Sequence, residues 1–380
     1  MKIKQLKWDV DGGWKTISTN NEIGKADLII VFGGRQELTN SEPFEKLKSE
    51  FADSKIMLCS TSGEIMDTKV YDNTILATAI NFEKTKIQAH QLNIADCLDS
   101  NDAGKKLGNM MEFIDLIHIM VFSDGSHVNG TDLVEGLTSV IPAQVAITGG
   151  LAGDGALFQK TLVGMNTKPA EGNIAAIGFY GKNLKVGYGS MGGWDPFGPV
   201  RLITKSNGNI LYELDGKNAL ELYKTYLGEK AKELPGSALL FPLSIQVQGN
   251  ENPVVRTILS IDEKLGSMTF AGDIPEGSEA RLMKANFDRL VDGASDAAKK
   301  STSLLNNQNA ELAILISCVG RKLVLGPHIE DEVESVREIL GPNTIITGFY
   351  SYGELAPFTQ WSKRCELHNQ TMTITTFTEN

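Results

Sequence analysis

Two tyrosines, a carboxylate and an arginine carry the most chemistry in this chain. Tyr350, Tyr352 and Glu354 crowd into "ITGFYSYGELAPF", and Arg321 ends "ELAILISCVGR". A phenol gives an apolar wall with a hydroxyl handle, a carboxylate receives a cationic amine, and a guanidinium receives a carboxylate in a fork. The flanking glycines let backbone N–H groups come close to a small molecule. An amino acid carries both charges. It would set its ammonium on Glu354, its carboxylate on Arg321 and its side chain on Tyr352. The competing expectation is that Arg321 and Glu354 pair with each other and close the end of a sheet.

Three segments place such turns in the same context. "DLIIVFGGR", a helix with Phe44, Leu47 and Phe51 on one face, and "KIMLC" lead to "STSGE" and Glu64. "LIHIMVFSDG", a helix with Leu133, Val134 and Leu137 on one side, and "QVAITGG" lead to "LAGDG" and Asp154. "ELAILISCVGR", the helix "DEVESVREIL" and "NTIITG" lead to "FYSYGE" and Glu354. After each acidic turn an Asn (Asn73, Asn173, Asn369) introduces a further strand. Strand–helix–strand at this length predicts parallel pairing, because a parallel return needs a crossover. The Asn-led strands read as antiparallel additions. Loops past strand ends in α/β sheets are favoured ligand positions, so Asn369 joins Tyr350, Tyr352, Glu354, Arg321, Asp154 and Glu64 as candidate ligand-binding residues. For Glu64 and Asp154 the preferred role is to cap backbone N–H groups of the turn.

Of the histidines, His118 lies inside an apolar strand and reads as core, and His90 as an exposed strand end. His127 and His328 fall in equivalent loops of the second and third segments, and His368 stands beside the repeat Asn in "ELHNQT". These last three are the candidates for a single metal or haem-iron ligand.

Other chemistries find little support. "TGGLAGDG" lacks the Gly-Lys-Ser/Thr ending of a phosphate loop, and no Gly-x-Ser-x-Gly elbow occurs. Ser123, Asp124 and His127 are neighbours in one loop, which triads rarely are. A formal net charge of -11 argues against a nucleic-acid partner, whose affinity comes from basic groups. No run approaches membrane-spanning length, which gives a cytoplasmic expectation. The four cysteines form no Cys-x-x-Cys pair, so neither a disulfide framework nor a zinc ribbon is indicated.

A chain of 380 residues exceeds one comfortable core, so two domains are expected. The Gly/Pro-rich "GWDPFGPV" breaks periodicity and sets the boundary, giving domains at 26–200 and 215–380. Within the second, Leu220, Tyr223 and Leu227 share a helix face, and a long amphipathic helix is expected around Leu282 to Leu305. The fold class is α/β, with repeated strand–helix–strand units forming mixed sheets flanked by helices.

"LDGKNALELY", "SCVGR", "TGFYSYGELAP" and "LHNQT", in that order, resemble the C-terminal FIST domain, and "CSTSGE", "FSDG" and "TGGLAGDG" its N-terminal partner. The resemblance runs from about Ala26 to the end. It implies a non-catalytic sensory input protein for a small ligand such as an amino acid. It also implies kinship with stand-alone, NosP-like members that bind haem, sense nitric oxide and act with a histidine kinase or a cyclic-di-GMP enzyme in trans. The cofactor is unknown, with haem as one reading. The alternative from another class is an enzyme using Glu354 or His127 as acid or base.

Overall fold

The computed structural model describes residues 1–248, 252–306, 308–358 and 364–380. Its α/β architecture is built on the three segments. In each, two strands pair in parallel and a third returns antiparallel beside the first. The parallel pairs are Leu28–Gly33 with Lys55–Ser60, Leu116–Ser123 with Ala146–Leu151, and Leu312–Cys318 with Ile345–Ser351. The returning strands are Ile75–Asn81, Asn173–Tyr180 and Met372–Glu379. Burial on both faces explains the continuous apolar runs: every residue of Leu28–Gly33 and of Leu312–Cys318 is buried. The crossover helices Glu42–Glu50, Gly130–Val140 and Ile329–Leu340 cover the outer faces.

The units are interlocked by a cyclic exchange of short strands. Glu64–Met66 of the first unit joins the sheet of the third, Gly353–Pro357 of the third joins that of the second, and Val163–Met165 of the second joins that of the first. Where the chain crosses over, three backbone bonds close a ring: Ser62 N to Tyr350 O (2.8 Å), Tyr352 N to Leu151 O (3.1 Å) and Gly153 N to Ser60 O (3.0 Å). The arrangement is pseudo-threefold. On the inner faces, Phe32, Phe122 and Phe349 pack with ring centroids 4.8 to 5.5 Å apart. Gly150 makes room for this contact, since a Cβ there would stand 2.8 Å from Ile316 Cγ2. The glycines of "TGG" therefore serve packing.

Register corrects one sequence alignment. Ile75, Ile174 and Met372 face Gly33, Ser123 and Ser317, the equivalent first-strand residues. The residues before them, Thr74, Asn173 and Thr371, are therefore equivalent, and Asn73 and Asn369 are not counterparts of Asn173. Insertions in the preceding loops hid the offset.

A further eight-stranded antiparallel sheet is formed between Trp194 and Ala285 and carries the helix Ala219–Leu227, whose Leu220, Tyr223 and Leu227 are buried. The long helix runs Phe287–Ser303, capped by Asn286, whose side chain accepts from Arg289 N. Leu282 belongs instead to the strand Glu279–Ala285, where half-buried alternation outweighs helical spacing. The eight-stranded layer is tied to the three-unit body by Trp194 Nε1 to Gln370 O (2.9 Å) and Asn129 Nδ2 to Asp273 Oδ1 (3.2 Å).

Candidate functional site

The acidic turns perform two different tasks. Glu64 accepts from Thr61 Oγ1 and from the N–H and hydroxyl of Thr74 (3.2 and 2.7 Å). Glu354 repeats this with Ser351 Oγ (2.8 Å) and the N–H and hydroxyl of Thr371 (3.1 and 2.8 Å). Both tie a turn to the returning strand of their own unit. Burial pushes Glu64 up to about 7 and Glu354 up to about 8, against the lowering effect of those donors. Glu354 is fully buried, with both oxygens engaged.

Asp154 stands one register position earlier and organises a loop. It accepts from Gln159 N (3.2 Å) and Lys160 N (3.0 Å), pairs with Arg35 (3.2 Å), and receives the Tyr352 hydroxyl. That hydroxyl also accepts from Phe158 N at 3.0 Å. Phe158 holds φ at 52°, a left-handed value that costs a bulky aromatic free energy. Its ring is 44 % exposed and stacks on Tyr352 with centroids 4.7 Å apart and planes at 19°.

This aromatic pair forms one wall of a cleft of about 470 Å3 between the second unit and the eight-stranded layer. Ser126, His127 and Gln159 contribute polar groups, and Leu259, Phe270 and Gly272 close the far side. The glycine of "SDG" has a local reason here: a Cβ at Gly125 would lie 2.2 Å from Ala152 O and 3.1 Å from Tyr352. On the other side of Asp154, a polar cleft of about 340 Å3 is lined by Arg35, Glu37, Glu64 and Asp72.

The expected Glu354–Arg321 clamp is not formed, and neither is a direct ion pair between the two. Arg321 is fully buried and pairs with Glu332 through Nε (3.1 Å) and Nη2 (2.7 Å). Its remaining donors go to Gly192 O and Leu290 O, at 2.9 and 2.7 Å. Tyr350 donates to the same Glu332 at 2.8 Å and is likewise buried. Helix Ile329–Leu340 brings Glu332 back over the sheet, a partner that sequence proximity to the "FYSYGE" turn does not suggest. Asn369 is buried, and neither side-chain atom has a hydrogen-bond partner among the described residues.

The three candidate histidines occupy separate environments. His368 is buried, with Nε2 on Ala356 O (3.0 Å) and its ring on Phe358, and burial pulls it down to about 4. His328 is exposed beside Asp331 at 3.5 Å. His127 lines the aromatic cleft, with Nδ1 3.3 Å from Asp124 Oδ1 and Nε2 without a partner among the described residues. Asp124, given no ligand role from the sequence, also accepts from Ser126 N, His127 N and Gly172 N and so fixes that loop. The acid in "FSDG" was the available signal. His118 is buried and bonded to Thr148 Oγ1 at 2.9 Å. His90 sits half-buried within the edge strand Lys86–Asn93 rather than at its end, opposite Ala176.

A mixed-sheet α/β body with a half-open aromatic cleft is the architecture of a small-molecule-binding protein. The family models for the FIST N domain and the FIST C domain match residues 27–217 and 219–357, so this chain belongs to the FIST family. FIST domains are sensory domains that bind small ligands, rather than catalytic ones. An uncharacterised protein of Methanocaldococcus jannaschii is 23% identical over 343 residues, covering 83% of this chain and 64% of that relative. The chain thus spans a little under two thirds of the curated relative it matches. A solved cyanuric acid hydrolase from A. caulinodans aligns at 7% identity over 78% of this chain and 99% of its own, with a TM-score of 0.20. Among the described residues no helix is long and apolar enough to cross a membrane.

Proposed function

We propose that the chain is a non-catalytic sensor. A small polar ligand, an amino acid in the first instance, binds in the aromatic cleft and alters the protein's contact with a separate signalling partner, a histidine kinase or a cyclic-di-GMP enzyme. The observation that carries this reading is Phe158. A strained backbone presents a half-exposed aromatic ring, stacked on Tyr352, to a cleft edged with His127 and Gln159. Such strain persists where the surroundings over-determine it, and it clusters at ligand clamps. The family-like motifs support the signalling role, and the two-layer seam gives a ligand a way to change how the layers meet. Thermal-shift screening of the amino acids, followed by calorimetry on wild type, Phe158→Ala and Tyr352→Ala, tests it. Binding that weakens in both variants is expected; binding that neither variant changes removes the cleft from consideration.

A second reading rests on His127. A ring whose Nδ1 faces a carboxylate and whose Nε2 is unpartnered matches the way metal-binding histidines are oriented. Of the three candidates, it alone combines a free nitrogen with a position lining the aromatic cleft. His127 would hold haem iron, which when bound would supply the nitric oxide site, while Phe158 and Tyr352 would flank the macrocycle. Reconstitution with hemin decides: a Soret band lost in His127→Ala supports this reading, and a band unchanged in that variant sinks it.

A further inference from the structure

Among the described residues, no aspartate, glutamate, lysine or arginine lines the aromatic cleft. Its polar side chains are a hydroxyl, an imidazole and three carboxamides, from Ser126, His127, Asn129, Gln159 and Asn209. Three carboxylates stand behind this lining, each already engaged. Asp124 accepts from three backbone N–H groups and faces the His127 ring, which answers any charge on that ring. Asp154 receives the Tyr352 hydroxyl and Arg35, and Asp273 receives Asn129. A charged ligand group in the cleft would lose water without gaining a direct ion pair. The three carboxylates behind the lining also repel a carboxylate or a phosphate.

What remains suits a flat, uncharged molecule. The Phe158 ring is held in place by its stack on Tyr352, and Leu259, also exposed, lies on the far side of the cleft. Aromatic and apolar side chains of this kind are the platforms on which proteins stack a nucleobase. Of the carboxamides, Asn129 is spent on its helix cap and on Asp273, and Asn209 gives Nδ2 to Phe270 O at 2.7 Å. Gln159 follows directly on Phe158, and only its backbone N–H is engaged, by Asp154. Its side-chain amide has no hydrogen-bond partner among the described residues. A carboxamide sets one acceptor beside one donor, the complement of the N6 amino group and N7 of adenine.

We propose that the aromatic cleft binds an uncharged purine of the adenine type, stacked on Phe158 and read at its N6/N7 edge by the Gln159 amide. This rests on the reading of the cleft as the sensor's ligand site, and it names the ligand class that the uncharged lining selects.

The test is calorimetric titration of the full chain with adenine, hypoxanthine and phenylalanine. Adenine should bind at one site, and more tightly than phenylalanine, whose two charges find no partner. Phe158→Ala should weaken adenine about tenfold through the lost stack. Hypoxanthine carries an oxygen acceptor in place of the N6 amino group and should bind about fivefold more weakly than adenine. That preference should vanish in Gln159→Leu. Gln159 is exposed on its loop, so this variant should keep the wild-type melting temperature and serves as the second arm if Phe158→Ala unfolds. The proposal is overturned by no adenine binding, or by a preference over hypoxanthine that survives in Gln159→Leu. Phenylalanine bound as tightly as adenine and lost in Phe158→Ala would overturn the purine and leave the cleft as the sensor's site. Adenine and phenylalanine both unchanged in Phe158→Ala would remove the cleft and the proposal together.

Discussion

The Tyr352 hydroxyl donates to the carboxylate of Asp154, joining two turns that lie 198 residues apart in the chain. Asp154 also pairs with Arg35 of the first unit, so one carboxylate connects all three units where their strands exchange. It stands between the aromatic cleft and the polar cleft, and the loop carrying Phe158 folds around it.

Asp154→Asn should therefore loosen that loop. Losing charge-assisted bonds to Tyr352, Arg35 and two backbone N–H groups is expected to cost about 1–3 kcal/mol in urea unfolding. Hydrogen exchange at Gln159 and Lys160 should accelerate in the variant, while Gly172, held by Asp124, stays protected.

Glu64 and Glu354 make stability fall as the solution turns alkaline. Burial raises both folded values, to about 7 and about 8, above the ordinary value of 4.5. The folded state therefore holds protons that the unfolded chain has already released. The stability contribution is complete below pH 4.5 and is lost as pH rises through 7 to 8. Glu354→Gln should flatten part of this slope, so that its stability relative to wild type improves between pH 5 and pH 8.5. Urea titrations at the two values check the sign, and a steeper slope in the variant would contradict it.

Arg321 and Glu332 form a buried pair, and breaking it from one side should be severe. Arg321→Met leaves Glu332 uncompensated, with an expected loss of about 3–5 kcal/mol. Arg321→Met combined with Glu332→Leu should recover a large part of that loss. If Arg321→Met kept the wild-type melting temperature and lost only ligand affinity, the amino-acid clamp expected from the sequence would be restored.

The Phe32–Phe122–Phe349 contact predicts that the units fold together. Phe122→Ala should cost about 3–5 kcal/mol. The variant should still unfold in a single transition by both far-ultraviolet circular dichroism and tyrosine fluorescence, since each unit's sheet contains a strand from another. Two separated transitions would show that the strand exchange does not couple the units.

The sequence by itself determined the units. Apolar runs such as "LIIVF" and "LAILISC", short and bounded by turn residues, read as strands buried on two faces, and the spacing of Val333, Val336 and Leu340 reads as one helix face. These are local properties of period and burial, so they are legible without a structure. The FIST-like motifs are local in the same way. Tertiary structure decided everything that depends on which side chain arrives from elsewhere. Arg321 meets Glu332 rather than Glu354 because a helix folds back over the sheet, and Glu354 spends both oxygens on Ser351 and Thr371. Strand exchange sets Tyr352 of the third unit on Asp154 of the second, and no spacing within either turn encodes that meeting.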